Sequence, residues 1–307
     1  MSPYILSILL GIVEGLTEFL PVSSTAHLRI TEALMKIPLE NSSCSAASAS
    51  CFQDVAYWQM YTIVIQVGAI LALCFLFTER IVNFLRTFPK GENRDRNWLT
   101  HPISLTLIAF AVTSVFALLL RKWSEKNLGS LTAMAIALLA GGIAMWAIDA
   151  WSNRVEPNTT HVEEMTLGQA IWIGLCQTLS AVFPGTSRSM STIAAGQLAG
   201  LDRPSALEFS FLLSIPTMIA ATGWDLVKEI HPGKAAGAAG QVAAHVVMNP
   251  ERWLVLLIGT VVSFIVAFGV VEWFLAWVRK HGFTLFAIYR ILLGIALLIW
   301  GAKYLGA

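Results

Sequence analysis

The sequence predicts an all-α integral membrane protein with about six transmembrane helices and two re-entrant helix hairpins, arranged as an inverted-topology repeat. Three observations predict this fold. The 307 residues are 56% hydrophobic and only 13% charged, whereas a soluble domain is about one quarter charged. Several apolar runs are long enough to cross about 30 Å of hydrocarbon. Two further apolar stretches carry a proline and a polar cluster at their centres, and these two stretches resemble each other.

The simple spans are apolar runs separated by polar connectors. At 1.5 Å per helical residue, each run reaches across a bilayer. They cover roughly residues 56–78, 102–121, 130–150, 208–226, 252–275 and 284–303. We interpret the chain as a single polytopic domain, 1–307, with internal repeats at about 1–150 and 151–307. Asp149, at the end of one run, is expected to be solvated. The net charge of +1 argues against a nucleic-acid partner.

The two unusual stretches are residues 5–30 and 167–198. Pro21 and Pro184 lie near their centres, each followed by hydroxyl residues. A proline with a polar cluster should break a helix. Broken helices at membrane depth are tolerated only where they are buried in protein or line a wet cavity. We therefore predict two re-entrant helix pairs.

The two stretches match each other at an offset of 163 residues. The identical pairs are Gly11 and Gly174, Leu16 and Leu179, Pro21 and Pro184, and Ser24 and Ser187. Three predicted spans separate the stretches, and an odd number of crossings inverts the second copy. The resulting inverted repeat brings both hairpin tips to the middle of the membrane.

Orientation follows from the basic connector 79–101, which the positive-inside tendency places in the cytoplasm. This puts the first hairpin and the C-terminus on the outer side. Arg121, Lys122 and Lys126 would then lie outside, which opposes the assignment. Cys44 and Cys51 flank a small polar stretch and would form a disulfide only in an oxidising compartment.

Glu14 and Glu18 are four residues apart, so they share one face of a helix. Two carboxylates in an apolar segment repel each other and are costly to desolvate. A divalent metal, an arginine or a shared proton would offset this cost. The alternative is a pair of acids at a water-facing helix end, although ionisable residues inside a membrane are functional by default.

Ser23, Ser24, Thr25 and His27 follow Pro21 directly. A hydroxyl cluster with a histidine three residues beyond Ser24 suits a nucleophile and its base. The alternative is a helix N-cap, which Ser and Thr also favour. Both interpretations are compatible, because a capped helix N-terminus also attracts an anion.

The second cluster is the segment 184–189, with the sequence Pro-Gly-Thr-Ser-Arg-Ser. Gly185 permits close approach of the backbone, and the resuming helix offers free N–H groups. The hydroxyls donate hydrogen bonds, and Arg188 is able to bind phosphate oxygens in a bidentate manner. The alternative is that Arg188 extends to the membrane interface, although it lies well inside an apolar segment.

These residues resemble the undecaprenyl-diphosphate phosphatase family of the bacitracin-resistance type. The first motif is Gly11–Thr25, with Glu14 and Glu18 four apart, and the second is Pro184–Ser189 with Thr192 behind it. The resemblance implies hydrolysis of undecaprenyl diphosphate to the monophosphate and inorganic phosphate, which regenerates the lipid carrier of cell-wall synthesis. It also implies a divalent cation (Mg or Ca) and a bacterial plasma-membrane site open to the outer face.

From the chemistry of these residues and the family resemblance together, we predict that Glu14 and Glu18 are the metal ligands. The predicted catalytic residues are Glu18, Ser24, His27 and Arg188, with Ser24 attacking and His27 as its base. The predicted substrate-binding residues are Ser23, Thr25, Gly185, Thr186, Ser187, Ser189 and Thr192. A metal-bound water is the alternative nucleophile. A secondary transporter or lipid flippase on the same scaffold is the alternative function, and a homodimer is left open.

Overall fold

The protein is described by a computed structural model that covers residues 2–37, 49–92, 96–127, 130–230 and 248–301. Cys44 lies outside these ranges, so its pairing with Cys51 is not described. Regular structure in the described residues is helical apart from one isolated β-bridge between Thr159 and Leu201. The helices are α1 Pro3–Thr17, α2 Ser24–Leu34, α3 Ala49–Leu76, α4 Thr78–Thr87, α5 Pro102–Asn127, α6 Leu131–Ser152, α7 Leu167–Val182, α8 Arg188–Leu198, α9 Arg203–Ile230, α10 Pro250–His281 and α11 Thr284–Ala296.

Among the described residues, five helical segments are long and apolar enough to cross a membrane. They are Asp54–Leu76, Pro102–Leu120, Leu131–Ser152, Arg203–Trp224 and Pro250–His281. The chain is therefore a multi-pass membrane protein, and these segments correspond to the first five predicted spans. The sixth predicted span, 284–303, begins as α11 and continues through a π-helical turn, Leu297–Gly301. Its apolar part, Thr284–Ile299, is shorter than the other five.

Both predicted helix breaks are present. The helix α1 ends at Thr17 and α2 begins at Ser24, while α7 ends at Val182 and α8 begins at Arg188. The residues immediately before the resuming helices, Ser23 and Ser187, have φ values of 73° and 71°. Positive φ is uncommon outside glycine and is maintained only where the surrounding structure enforces it. The two breaks therefore share a serine of positive φ before the second helix as well as similar sequences.

The first helix of each broken pair packs against a long helix from the other half of the chain. The helix α1 packs against α10, and α7 packs against α5. A Cβ added at Gly11 would lie 2.6 Å from the Gly259 carbonyl oxygen, and one at Gly174 would lie 2.5 Å from that of Ala109. Glycine at both positions therefore allows the backbones to approach closely.

One end of the bundle is joined by an ion-pair network centred on Arg80 of α4. Its guanidinium contacts Glu163 at 2.7 Å and Glu208 of α9 at 2.6 Å. Burial alone would lower the pKa of Arg80, but Glu208 and Glu163 together raise it above its usual value. Arg80 therefore stays charged and ties α4 to α9 and to the segment that precedes α7.

The expectation that Asp149 is solvated is wrong, because its side chain is fully buried. One carboxylate oxygen accepts hydrogen bonds from Arg203 at 2.8 Å and Gln197 at 3.1 Å. The other accepts from the Phe283 backbone N–H at 3.1 Å. A buried carboxylate needs such partners. Asp149 thus fastens the end of α6 to α8, to α9 and to the start of α11.

Candidate active site

The two helix breaks meet at a cluster formed by Glu18, Ser24 and Arg188. The Ser24 hydroxyl donates a hydrogen bond to Glu18 Oε2 at 2.5 Å. The Arg188 guanidinium, 170 residues along the chain, donates to Glu18 Oε1 at 3.2 Å. Glu18 and Arg188 are largely buried, with 9% and 13% of their side chains exposed. The structure thus brings together three of the four predicted catalytic residues in direct contact.

Glu14 lies one helical turn before Glu18 and is completely buried. Neither of its carboxylate oxygens has a hydrogen-bond partner among the described residues. An ionised carboxylate in this position needs a compensating positive group. The same requirement led to the prediction of a cation at Glu14 and Glu18.

His27, the fourth predicted catalytic residue, has both ring nitrogens engaged, and neither contacts Ser24. Its Nδ1 lies 2.7 Å from the Ser23 carbonyl oxygen. Its Nε2 lies 2.6 Å from the hydroxyl of Tyr289 on α11. The two rings also stack, with centroids 5.6 Å apart and planes 13° apart. In this geometry the Ser24 hydroxyl hydrogen-bonds Glu18, and His27 faces α11.

The predicted hydroxyl ligands of the second break differ in what they contact. The Ser187 hydroxyl caps α8 by accepting a hydrogen bond from the Met190 N–H. The Ser189 hydroxyl donates to the Leu20 carbonyl at 3.0 Å, which connects the second break to the first. Thr192 is buried, and its hydroxyl is 2.6 Å from that of Ser210 on α9. The Thr192 hydroxyl also donates to the Arg188 carbonyl at 3.0 Å, so its contacts in this structure are with α8 itself and with α9.

Ser23 and Thr25 also differ from each other. Ser23 is buried, and its carbonyl accepts from both the backbone N–H and the Nδ1 of His27. Thr25 is exposed at the first turn of α2. Of the two, Thr25 is the residue open to a ligand, while Ser23 holds the position of His27.

Sequence reasoning missed Arg290, which is fully buried on α11. Its guanidinium donates to the Pro21 carbonyl at 3.2 Å in the first break. It also donates to the Gly185 and Thr186 carbonyls at 3.2 and 2.8 Å in the second break. Carbonyls freed by a broken helix need donors, and one side chain supplies them to both breaks. The signal was available, since an arginine inside an apolar run is functional by default.

The fold and the cluster together define a class of protein. This is a multi-pass membrane protein in which two broken helix pairs combine acidic, hydroxyl and guanidinium groups in one buried site. Such a combination suits phosphoryl chemistry, in which arginine stabilises negative charge and an oxygen nucleophile attacks.

Comparison with known proteins identifies one family. The sequence model of the family described as "Bacitracin resistance protein BacA" matches residues 7–296. The chain is 54% identical over 303 residues to a protein of Koribacter versatilis named undecaprenyl-diphosphatase, covering 99% of this chain and 100% of that protein. It is 39% identical over 296 residues to one of the same name from Rhizobium etli (strain CIAT 652), covering 96% of each chain. The chain belongs to the BacA bacitracin-resistance family.

Proposed function

We propose that the chain is a membrane phosphatase that hydrolyses undecaprenyl diphosphate to undecaprenyl phosphate and inorganic phosphate. This reaction recycles the lipid carrier used in cell-wall synthesis. The relatives named undecaprenyl-diphosphatase match it over nearly its whole length. The assignment of the site rests on one observation. Glu18 of the first break accepts hydrogen bonds both from Ser24 of the same break and from Arg188 of the second break.

The terminal phosphate binds where the two breaks meet. Arg188 presents several N–H donors, and its planar fork matches phosphate oxygens better than a lysine would. The N-terminus of α8 begins at the same residue and adds backbone donors and a favourable dipole. Both features stabilise negative charge on the phosphoryl group, and the polyprenyl chain remains in lipid.

Ser24 is the preferred nucleophile. Its oxygen forms a bond to the terminal phosphorus, the bond to the bridging oxygen breaks, and undecaprenyl phosphate leaves. Water then releases inorganic phosphate from the phosphoserine. Glu18 is already positioned to accept the Ser24 proton at 2.5 Å. For His27 to accept it instead, the hydrogen bond to Tyr289 has to break. A water molecule in place of Ser24 is the competing scheme.

A divalent cation, Mg or Ca, fits the acidic side of this site. The two carboxylate oxygens of Glu14 are buried without hydrogen-bond partners, and hard cations prefer carboxylate oxygens. The described residues contain no cluster of three or more His, Cys, Asp or Glu side chains suited to a metal. Glu14 and Glu18 would therefore hold the ion together with other oxygens, substrate phosphate included. When bound, the ion would neutralise charge on the transferred phosphoryl group.

The proposed architecture is six spans and two re-entrant pairs in an inverted repeat within the bacterial inner membrane. The matching packing of α1 on α10 and of α7 on α5 supports the repeat. The basic residues Arg80 and Arg86 of α4 favour a cytoplasmic position for that helix. The first broken pair then opens toward the outer side, where the diphosphate is exposed after cell-wall synthesis.

The test is phosphate release from undecaprenyl diphosphate by the purified protein, measured with and without a chelator. We expect turnover that the chelator abolishes and added Mg or Ca restores. Glu18→Gln should reduce turnover by about 10³-fold, in the range that acid–base catalysis contributes. Absence of phosphate release from the wild-type protein in the presence of either cation would refute the assignment. Movement of lipid between leaflets without hydrolysis would favour a flippase instead.

A further inference from the structure

Tyr289 is a surface-accessible residue of α11 that contacts a proposed catalytic group. Its side chain is 43% exposed, and its hydroxyl is 2.6 Å from His27 Nε2. It directly precedes Arg290, which donates to carbonyls of both breaks. The position of Tyr289 is therefore fixed relative to both halves of the site.

The contacts of His27 determine which nitrogen carries the proton in the neutral ring. A carbonyl oxygen only accepts hydrogen bonds, so the Nδ1 atom that lies 2.7 Å from the Ser23 carbonyl is the donor. The Nε2 atom of a neutral ring is then the acceptor, and the Tyr289 hydroxyl donates to it at 2.6 Å. Ser23 itself is held at a φ of 73° by the break. The ring is thus fixed between a constrained backbone carbonyl and a tyrosine.

We propose that Tyr289 is a positioning residue that fixes the orientation of the His27 ring. The inference rests on the proposed function, in which His27 is the alternative acceptor of the Ser24 proton. The Ser23 carbonyl sets the Nδ1–H tautomer, the Tyr289 hydroxyl donates to the Nε2 lone pair, and the stacked tyrosine ring, with planes 13° apart, holds the plane of the imidazole.

Tyr289→Phe tests this proposal because it keeps the stacked ring and removes only the hydroxyl. We expect kcat to fall about tenfold with KM unchanged, a smaller loss than that of acid–base catalysis itself. The matched control is Tyr57→Phe, which removes a hydroxyl that donates to the Arg252 carbonyl at 3.0 Å. The control should retain kcat. An unchanged or increased kcat in Tyr289→Phe would overturn the proposal.

Nitrogen-15 spectra of histidine-labelled protein provide a readout that does not depend on activity. His27→Asn identifies the signals of His27 among the 6 histidines. We expect the Nδ1–H tautomer in the wild type, the same tautomer with an Nε2 signal shifted by the loss of its hydrogen bond in Tyr289→Phe, and no change in Tyr57→Phe. A ring-fluorinated tyrosine at position 289 is a second variant, and it should shift the Nε2 signal while retaining the hydroxyl. A wild-type Nε2–H tautomer, or an Nε2 signal insensitive to fluorination, contradicts the proposal even if phosphate is released.

The two failures are distinguishable. If the wild-type protein releases no phosphate, the proposed function fails, and the spectra still decide whether Tyr289 donates to His27 Nε2. If phosphate is released but Tyr289→Phe changes neither kcat nor the Nε2 signal, the function stands and the role of Tyr289 is refuted.

Discussion

The two broken helix pairs share several sequence and backbone features but carry side chains of opposite charge. Each pair has a glycine where its first helix crosses a neighbour, a proline in the break and a serine of positive φ before the second helix. The first pair supplies Glu14, Glu18 and the Ser24 hydroxyl, whereas the second supplies Arg188. Two similar sequences therefore form one asymmetric cluster, in which Arg188 of the second pair contacts Glu18 of the first.

Glu14 and Gln177 show this difference at equivalent positions. Both side chains are almost completely buried. The Gln177 amide nitrogen donates to Thr113 at 3.3 Å and to Thr217 at 3.1 Å, whereas its Oε1 has no hydrogen-bond partner among the described residues. The Glu14 carboxylate has no such partners among the described residues. The cation proposed at Glu14 would supply the partner that Thr113 and Thr217 supply at Gln177.

The largest expected effect distinguishes Ser24, the first residue of α2, from Ser187, the residue immediately before α8. Ser24→Ala should lower turnover by roughly 10³-fold or more and leave lipid binding nearly intact, because only the attacking oxygen is lost. Ser187→Ala should have a smaller effect, a loss of about 1 kcal/mol of stability from the missing cap. Phosphate release and KM for the lipid measure the effect of Ser24→Ala, and thermal unfolding in detergent measures the loss of stability in Ser187→Ala. Turnover of Ser24→Ala within a few-fold of wild type would make water the nucleophile.

Arg188→Lys tests the charge that the second pair contributes. It keeps the positive charge but loses the planar fork. We expect kcat/KM to fall by roughly 10- to 100-fold, which corresponds to the loss of one hydrogen bond to a charged group. Both a higher KM and a lower kcat should appear in steady-state kinetics. Wild-type kinetics in this variant would show that Arg188 only pairs with Glu18.

Glu14→Gln makes the first pair resemble the second at this position. We expect the apparent affinity for Mg or Ca to weaken by roughly tenfold or more, because carboxylate charge sets the affinity of such sites. A titration of activity against cation concentration measures the change. An unchanged cation requirement would remove Glu14 from the set of metal ligands.

The smallest effects concern the shared scaffold and should be equal in both pairs. Gly11→Ala and Gly174→Ala each force a methyl group to within 2.6 or 2.5 Å of a carbonyl oxygen. Such overpacking costs about 1–3 kcal/mol, which thermal unfolding in detergent would detect. The control is Gly168→Ala, where an added Cβ meets no atom within 4 Å. A destabilisation confined to one of the two variants would argue against equivalent packing.

Much of the fold was predictable because a bilayer constrains sequence strongly. Apolar runs had to form helices, and Pro21 and Pro184 had to interrupt them, so spans and breaks followed from local patterns. The prediction for Asp149 failed because its surroundings come from distant parts of the chain and not from its local sequence. Its position at a helix end suggested water, but Arg203, Gln197 and the Phe283 N–H surround it from distant segments.

The sequence by itself determined the membrane class, the two breaks and most of the polar residues near them, because these depend on composition and short-range spacing. Only the tertiary structure decided which of these groups touch. In the structure Ser24 hydrogen-bonds Glu18 and not His27, and Thr192 contacts Ser210. From α11, Tyr289 contacts His27 and Arg290 donates to the Pro21 carbonyl. The physical reason is that side-chain hydrogen bonds are set by the three-dimensional approach of helices, and residues more than 250 positions apart, such as His27 and Tyr289, leave no local pattern in the sequence.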